Sequence, residues 1–151
     1  MFWVTNHLVN PLVRPLLRGP LGRWLGRHLA VIRYTGRRTA RAYELVTQYA
    51  RDGSTVWIVP GMPEHKTWWR NLRDPARVEV WLAGQHVHGQ AHAIEGNHDP
   101  VAARDGLAVY LAQLPRVRKS LNLPPEPATG GDSALDELST RAVVVRADLN
   151  T

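Results

Sequence analysis

The sequence predicts an α+β protein: a mainly antiparallel, six-stranded small barrel with an N-terminal helix and flanking helices. Three observations lead there. From Ala30 onward, short β-rich stretches are separated by tight turn signals, which join neighbouring strands as hairpins and make the sheet antiparallel. Helical patterns interrupt this order only between the third and fourth strands and before the last strand. That last strand holds Val143, Val144 and Val145 in succession, a run suited to a central position buried on both faces. Six twisted strands around such a centre fit a small barrel better than an open sheet.

The elements follow in order. Residues 2–29 read as irregular helix, with Phe2, Trp3, Leu8, Val9, Leu12, Val13, Leu16 and Leu17 at helical spacing and Gly19-Pro20 breaking the run. Ala30 to Tyr34 is a strand, and residues 35–39 are a turn. Tyr43 to Arg51 is one strand, with Asp52-Gly53 as its hairpin signal and Thr55 to Val59 returning. Lys66 to Leu72 reads as a short helix ended by Pro75. Arg77 to Ala83 and His86 to Glu95 are strands around a Gly84-Gln85 turn. Asp99 caps a helix that opens on Pro100 and runs to about Leu114. Arg116 to Leu123 reads as a further helix and Pro124 to Ser133 as a loop. Arg141 to Ala147 is the final strand. There is no repeat, and all 151 residues form a single domain with a helical segment at 1–29.

The composition narrows the function classes. Without cysteine there is no disulfide, thiolate metal site or cysteine nucleophile. The chain has no apolar run long enough to span a bilayer and no signal peptide pattern, so we expect a cytoplasmic protein. Arg14 and Arg18 lie among the apolar residues of the first helix. Such a helix either lies on the inner face of an anionic membrane through residues 2–18 or packs on its own domain. The net charge of +6 favours anionic partners. The arginines are spread along the chain and form no recognition motif, so nucleic acid is not expected among them.

Two constellations carry chemistry. Thr35-Gly36-Arg37-Arg38-Thr39 is a tight turn whose two guanidiniums can grip phosphate or carboxylate, with the Thr39 hydroxyl beside them. Pro60 to Asn71 places Lys66 and Thr67 at a helix start, a position that attracts anions. Trp68 and Trp69 point to different faces of that helix, as core aromatics or as pocket walls. Asn71 bonds either backbone or ligand. His86, His88 and His92 share one strand face, but the sequence shows no acidic partner on it, so no metal site is expected.

From Thr35 to Ala83 the ordered pattern resembles the deazaflavin-dependent nitroreductase family of split β-barrel flavin/deazaflavin oxidoreductases. The resemblance rests on the Gly36-Arg37-Arg38 turn, Arg51-Asp52-Gly53, the strand to Val59, Trp68-Trp69-Arg70-Asn71-Leu72, and Asp74-Pro75-Ala76-Arg77-Val78-Glu79-Val80. It implies a split barrel holding coenzyme F-420, with FMN or FAD as second choices. It implies hydride transfer from the reduced cofactor to a quinone, nitro compound or activated alkene. Arg37, Arg38 and Thr39 would meet the cofactor's phosphate or tail. Arg41 would supply charge where relatives carry a basic residue at the position of Tyr43. Backbone at Val59, Pro60 and Gly61 would lie along the ring, and Lys66, Trp68, Trp69 and Asn71 would close the pocket. His65 and Tyr110 border the expected acceptor side. Split barrels of this type often form homodimers. The competing reading is a non-catalytic member of the same fold that holds a flavin, a fatty acid or a quinone.

Overall fold

The computed structural model describes residues 29–150; the N-terminal helix and its membrane contact, expected at 1–29 and 2–18, lie outside the described residues but for Leu29. The strands are β1 (Leu29–Thr35), β2 (Ala42–Gln48), β3 (Ala50–Asp52), β4 (Thr55–Ile58), β5 (Ala76–Leu82), β6 (Gln85–Glu95) and β7 (Val143–Leu149). The helices are α1 (Pro100–Gln113), α2 (Val117–Ser120) and α3 (Ser133–Ser139). All seven strands join one antiparallel sheet in the order β2-β1-β5-β6-β7-β4-β3.

That order explains why the sheet curls. β2 and β3 are its two edges, yet only Tyr49 separates them in the chain. Laid flat, six strand spacings would set the edges roughly 29 Å apart, at about 4.8 Å per step. One residue cannot span that distance, so the sheet bends round until its edges meet at Tyr49. The expected single strand from Tyr43 to Arg51 is therefore two, and the barrel has seven strands instead of six. Tyr49 turns into the interior, where it is buried.

Inside the curl lie Ile32, Tyr34, Leu45, Val56, Ile58, Val78, Val80, Leu82, Val143 and Val145, alternating along their strands, with Trp68, Trp69 and Leu72 filling one end. Outside, α1 and α3 cover β7 and β4 through Leu107, Tyr110, Leu135 and Leu138 against Trp57 and Val144. The valine run is thus buried on both faces, as its composition requires. Gly106 sets how close α1 approaches: a Cβ there would stand 2.6 Å from Trp57 and 2.8 Å from Val144. No helix among the described residues is long and apolar enough to cross a membrane.

Local chemistry corrects several boundaries. The β5–β6 hairpin turns on Ala83-Gly84, with φ of 50° and 76°, one residue before the expected Gly84-Gln85. Two positive φ values match the right-handed twist of the strands. The segment at 68–72 is a 3-10 turn of five residues instead of a helix from Lys66. α3 was not anticipated. Asp132 caps it by accepting from the Leu135 amide, and Leu135 and Leu138 point inward.

Candidate functional site

The site begins at the end of β1. Tyr34 is the last inward residue of that strand, and its ring stacks on Tyr43 of β2 at 5.7 Å and tilts against Trp68 at 5.9 Å. Burial, with a smaller contribution from Tyr43, pushes the Tyr34 phenol up to about 12. The chain then turns through 36–41. The Ala40 amide donates to the Gly36 carbonyl at 3.0 Å, and the Gly36 amide donates to the Arg41 carbonyl at 2.8 Å. Gly36 is needed for space: a Cβ would stand 2.7 Å from the Tyr43 ring and 2.9 Å from Thr39 Oγ1. The positive φ of the turn falls instead on Ala40, at 55°. Thr39 Oγ1 and the Tyr43 hydroxyl lie 3.0 Å apart, in hydrogen-bond contact.

Asn71 joins this turn to the tryptophan segment. Its Nδ2 donates to the Trp68 carbonyl at 2.9 Å, while its Oδ1 accepts from the Arg37 amide at 3.0 Å. The two sequence constellations therefore form one continuous wall. Trp68 and Trp69 are core aromatics, with 8% and 4% of their surface exposed. The Trp69 indole donates to the Pro63 carbonyl at 2.9 Å, which anchors the preceding loop. The Arg73 guanidinium lies over the same ring at 5.1 Å.

That loop carries the remaining candidates. Pro60 is buried, whereas Val59 and Gly61 are half-buried. Lys66 is half-buried too, and its Nζ lies 3.7 Å from where a Cβ on Gly61 would stand. Burial pushes the Lys66 ammonium down from the usual lysine value. The five-residue 3-10 turn behind it has no side-chain cap and too few aligned peptides to act as an anion-attracting helix. What Lys66 brings is therefore its own charge. His65 is exposed on the loop, 3.9 Å from Glu64. Tyr110 is elsewhere: it lies on the buried face of α1 in the outer cluster with Trp57, and burial pushes its phenol up to about 12.

Some of the described arginines are committed to ion pairs and others are not. Arg33, Arg73, Arg104, Arg118 and Arg146 each pair with a carboxylate. Arg37, Arg38 and Arg41 are exposed and form no ion pair with any described residue. Three unspent guanidiniums within five residues make a surface suited to phosphate or carboxylate, the groups of the F-420 tail. The residues present fit that end of the cofactor.

The outer face of β1, β2, β5 and β6 corrects the histidine reading. Glu44, Arg33, Glu79 and His88 are direct cross-strand neighbours. The sequence showed no acid beside the histidines because Glu79 arrives from the neighbouring strand.

The comparisons with known proteins bear on this geometry. The model of the F420H(2)-dependent quinone reductase family matches residues 16–109, well over half the chain. The chain belongs to this family. It is an F-420-dependent oxidoreductase of split-barrel fold. A solved F420-H2-dependent reductase, FDR-A, shares 13% identity with it, covering 82% of this chain and 95% of that one at a TM-score of 0.54. A protein solved as a domain-swapped dimer is also 13% identical, covering 93% and 97% at a TM-score of 0.55. At that identity both report the fold. No curated protein matches the chain.

Proposed function

We propose that this family member reduces a quinone, nitro compound or activated alkene, and that the Arg37–Arg41 turn receives the cofactor's phosphate and tail. The observation that carries the placement is the set of exposed, unpaired guanidiniums on a turn that Asn71 ties to Trp68. When bound, F-420 supplies the hydride, and the chain supplies position and charge. Arg37, Arg38 and Arg41 bind the anionic end through charge-assisted hydrogen bonds, with Thr39 beside them. Val59, Pro60 and Gly61 offer backbone along the ring, because Gly61 presents no side chain in its way. Lys66 stands over Gly61 as a desolvated cation, whose charge acts more strongly than one in open water. Trp68 and Trp69 support this wall from inside the barrel. His65 stands on the acceptor side of the same loop; Tyr110 lies on the buried face of α1, in the outer cluster with Trp57.

Fluorescence titration of F-420 tests the placement. Wild-type protein is expected to bind, and Arg37→Ala with Arg38→Ala to bind at least tenfold more weakly, about 1.4 kcal/mol or more. Unchanged affinity would show that the tail lies elsewhere. Steady-state assays with a menadione-type quinone and a nitroaromatic compound test the acceptor. His65→Ala is expected to raise the acceptor KM and leave the F-420 Kd unchanged. The apolar, basic pattern of residues 2–18 supports peripheral contact with an anionic membrane, which co-sedimentation with anionic vesicles checks. A homodimer, suggested by the swapped relative, is checked by sedimentation velocity.

A further inference from the structure

We propose that Glu79, His86 and His88 form a binding site for a divalent transition-metal ion of the zinc class on the outer face of β5 and β6. His86 and His88 are two apart on β6, so both imidazoles stand on the same side of the sheet. Glu79 is the register partner of His88 on β5. Its Oε1 lies 3.1 Å from His86 Nε2 and 3.9 Å from His88 Nε2, and the three ligand atoms all lie within 4.8 Å of one another. A tetrahedral ion with bonds of about 2.0 to 2.1 Å holds its ligands roughly 3.3 Å apart. A small rotation of the exposed His88 ring closes the difference.

The supporting residues orient this set. Arg33 Nη1 holds Glu79 Oε2 at 3.1 Å, which turns Oε1 toward the histidines. Arg33 is itself fixed by Glu44. The His86 ring lies flat on Trp81, with centroids 4.3 Å apart and planes 7° from parallel. Such outer partners hold metal ligands in place, and their loss typically costs ten- to a hundredfold in affinity. Around the site, Glu79 and Glu44 set two carboxylates against the Arg33 guanidinium, while the Arg77 guanidinium lines the cleft beside His88.

Access and ligand type narrow the occupant. His88 is 66% exposed at its side chain. It borders a cleft of about 600 Å³ lined also by Arg77, Gln90 and Asn150, so a further coordination position faces open space. Two imidazoles and one carboxylate suit zinc, copper or nickel, whereas calcium and magnesium need more oxygen ligands than this face provides. The site lies on the opposite side of the sheet wall from Tyr34 and Trp68, and it is independent of the F-420 reading.

Zinc titration of the full-length, tag-free, chelator-stripped protein tests the site, followed by calorimetry and by thermal melting. Wild-type protein is expected to bind one zinc ion per chain at micromolar free metal and to melt at a higher temperature when loaded. His86→Ala, His88→Ala and Glu79→Gln are each expected to weaken binding at least tenfold, and Arg33→Gln about tenfold. His92→Ala, farther along the same strand face, is expected to leave binding unchanged. Circular dichroism of the metal-free variants keeps loss of fold distinct from loss of ligand. Zinc binding that survives His86→Ala/His88→Ala, or no binding by wild-type protein at micromolar metal, would overturn the proposal.

Discussion

Two arginine-bearing loops use the same side chain in opposite ways. In the segment from α2 to α3, Arg118 is buried: its Nε donates to the Pro124 carbonyl at 2.8 Å, and its Nη1 pairs with Asp132 at 3.0 Å. Asp132 in turn caps α3. One guanidinium thereby ties a Pro/Gly-rich loop to a helix start. In the turn at 36–41, three arginines are exposed, and backbone bonds, Tyr43 and Asn71 hold the turn without them. The first loop spends its charge on folding. The second holds its charge for a partner, because a cation that the fold does not use costs little to keep in water.

Substitutions can break this contrast. The largest effect is expected at Asp132→Ala, which removes the cap and strands a buried guanidinium. Stability should fall by about 3 kcal/mol, a drop in melting temperature of roughly 6 to 12 °C, with F-420 affinity unchanged. Calorimetry and fluorescence titration read the two quantities separately. Arg37→Ala/Arg38→Ala should give the mirror image: binding at least tenfold weaker and a melting temperature within about a degree of wild type. A fall in melting temperature like that of Asp132→Ala would erase the distinction between the loops.

Smaller effects sharpen it. Asn71 belongs to both the fold and the wall, so Asn71→Ala should cost about 1 kcal/mol of stability and weaken F-420 binding a few-fold together. Lys66 separates the charges by pH. Its folded pKa is depressed by burial, so it loses its proton as pH rises before an ordinary lysine would, while the arginines stay charged. Wild-type affinity for F-420 should therefore decline on the alkaline side, and Lys66→Arg should flatten that decline. Because the charged form of Lys66 is disfavoured by folding, stability itself should rise slightly over the same alkaline range.

Periodicity made the sheet legible, and chain geometry hid the rest. Strand alternation is a local signal, so β1, β5 and β6 and the helix after Asp99 could be read directly. The division at Tyr49 could not, because both sides keep β-type residues and only the global order makes them opposite edges. The five-residue 3-10 turn resembled a helix start because Trp68, Trp69 and Leu72 have helical spacing over a stretch too short to distinguish the two. α3 did leave a signal: Asp132 before an inward Leu135-Leu138 pair is a cap followed by one apolar stripe. In the wall, the Gly36-Arg37-Arg38 turn and Asn71 were legible as residue types. Their junction was not, because the Asn71–Arg37 bond spans 34 positions. Glu79 was missed beside the histidines for the same reason: register places it there, and register is not written in either strand alone.

The one-residue link at Tyr49 also limits how copies of this chain can associate. Unpaired strand edges invite another chain to add a strand. Here one edge, β3, offers only three residues, and the described sheet leaves β2 as its sole long edge. Both edges issue from a single buried tyrosine, which anchors the end of each strand nearest to it. Strand addition to the described sheet is thus concentrated on one edge, β2, with β3 offering too little ladder to extend.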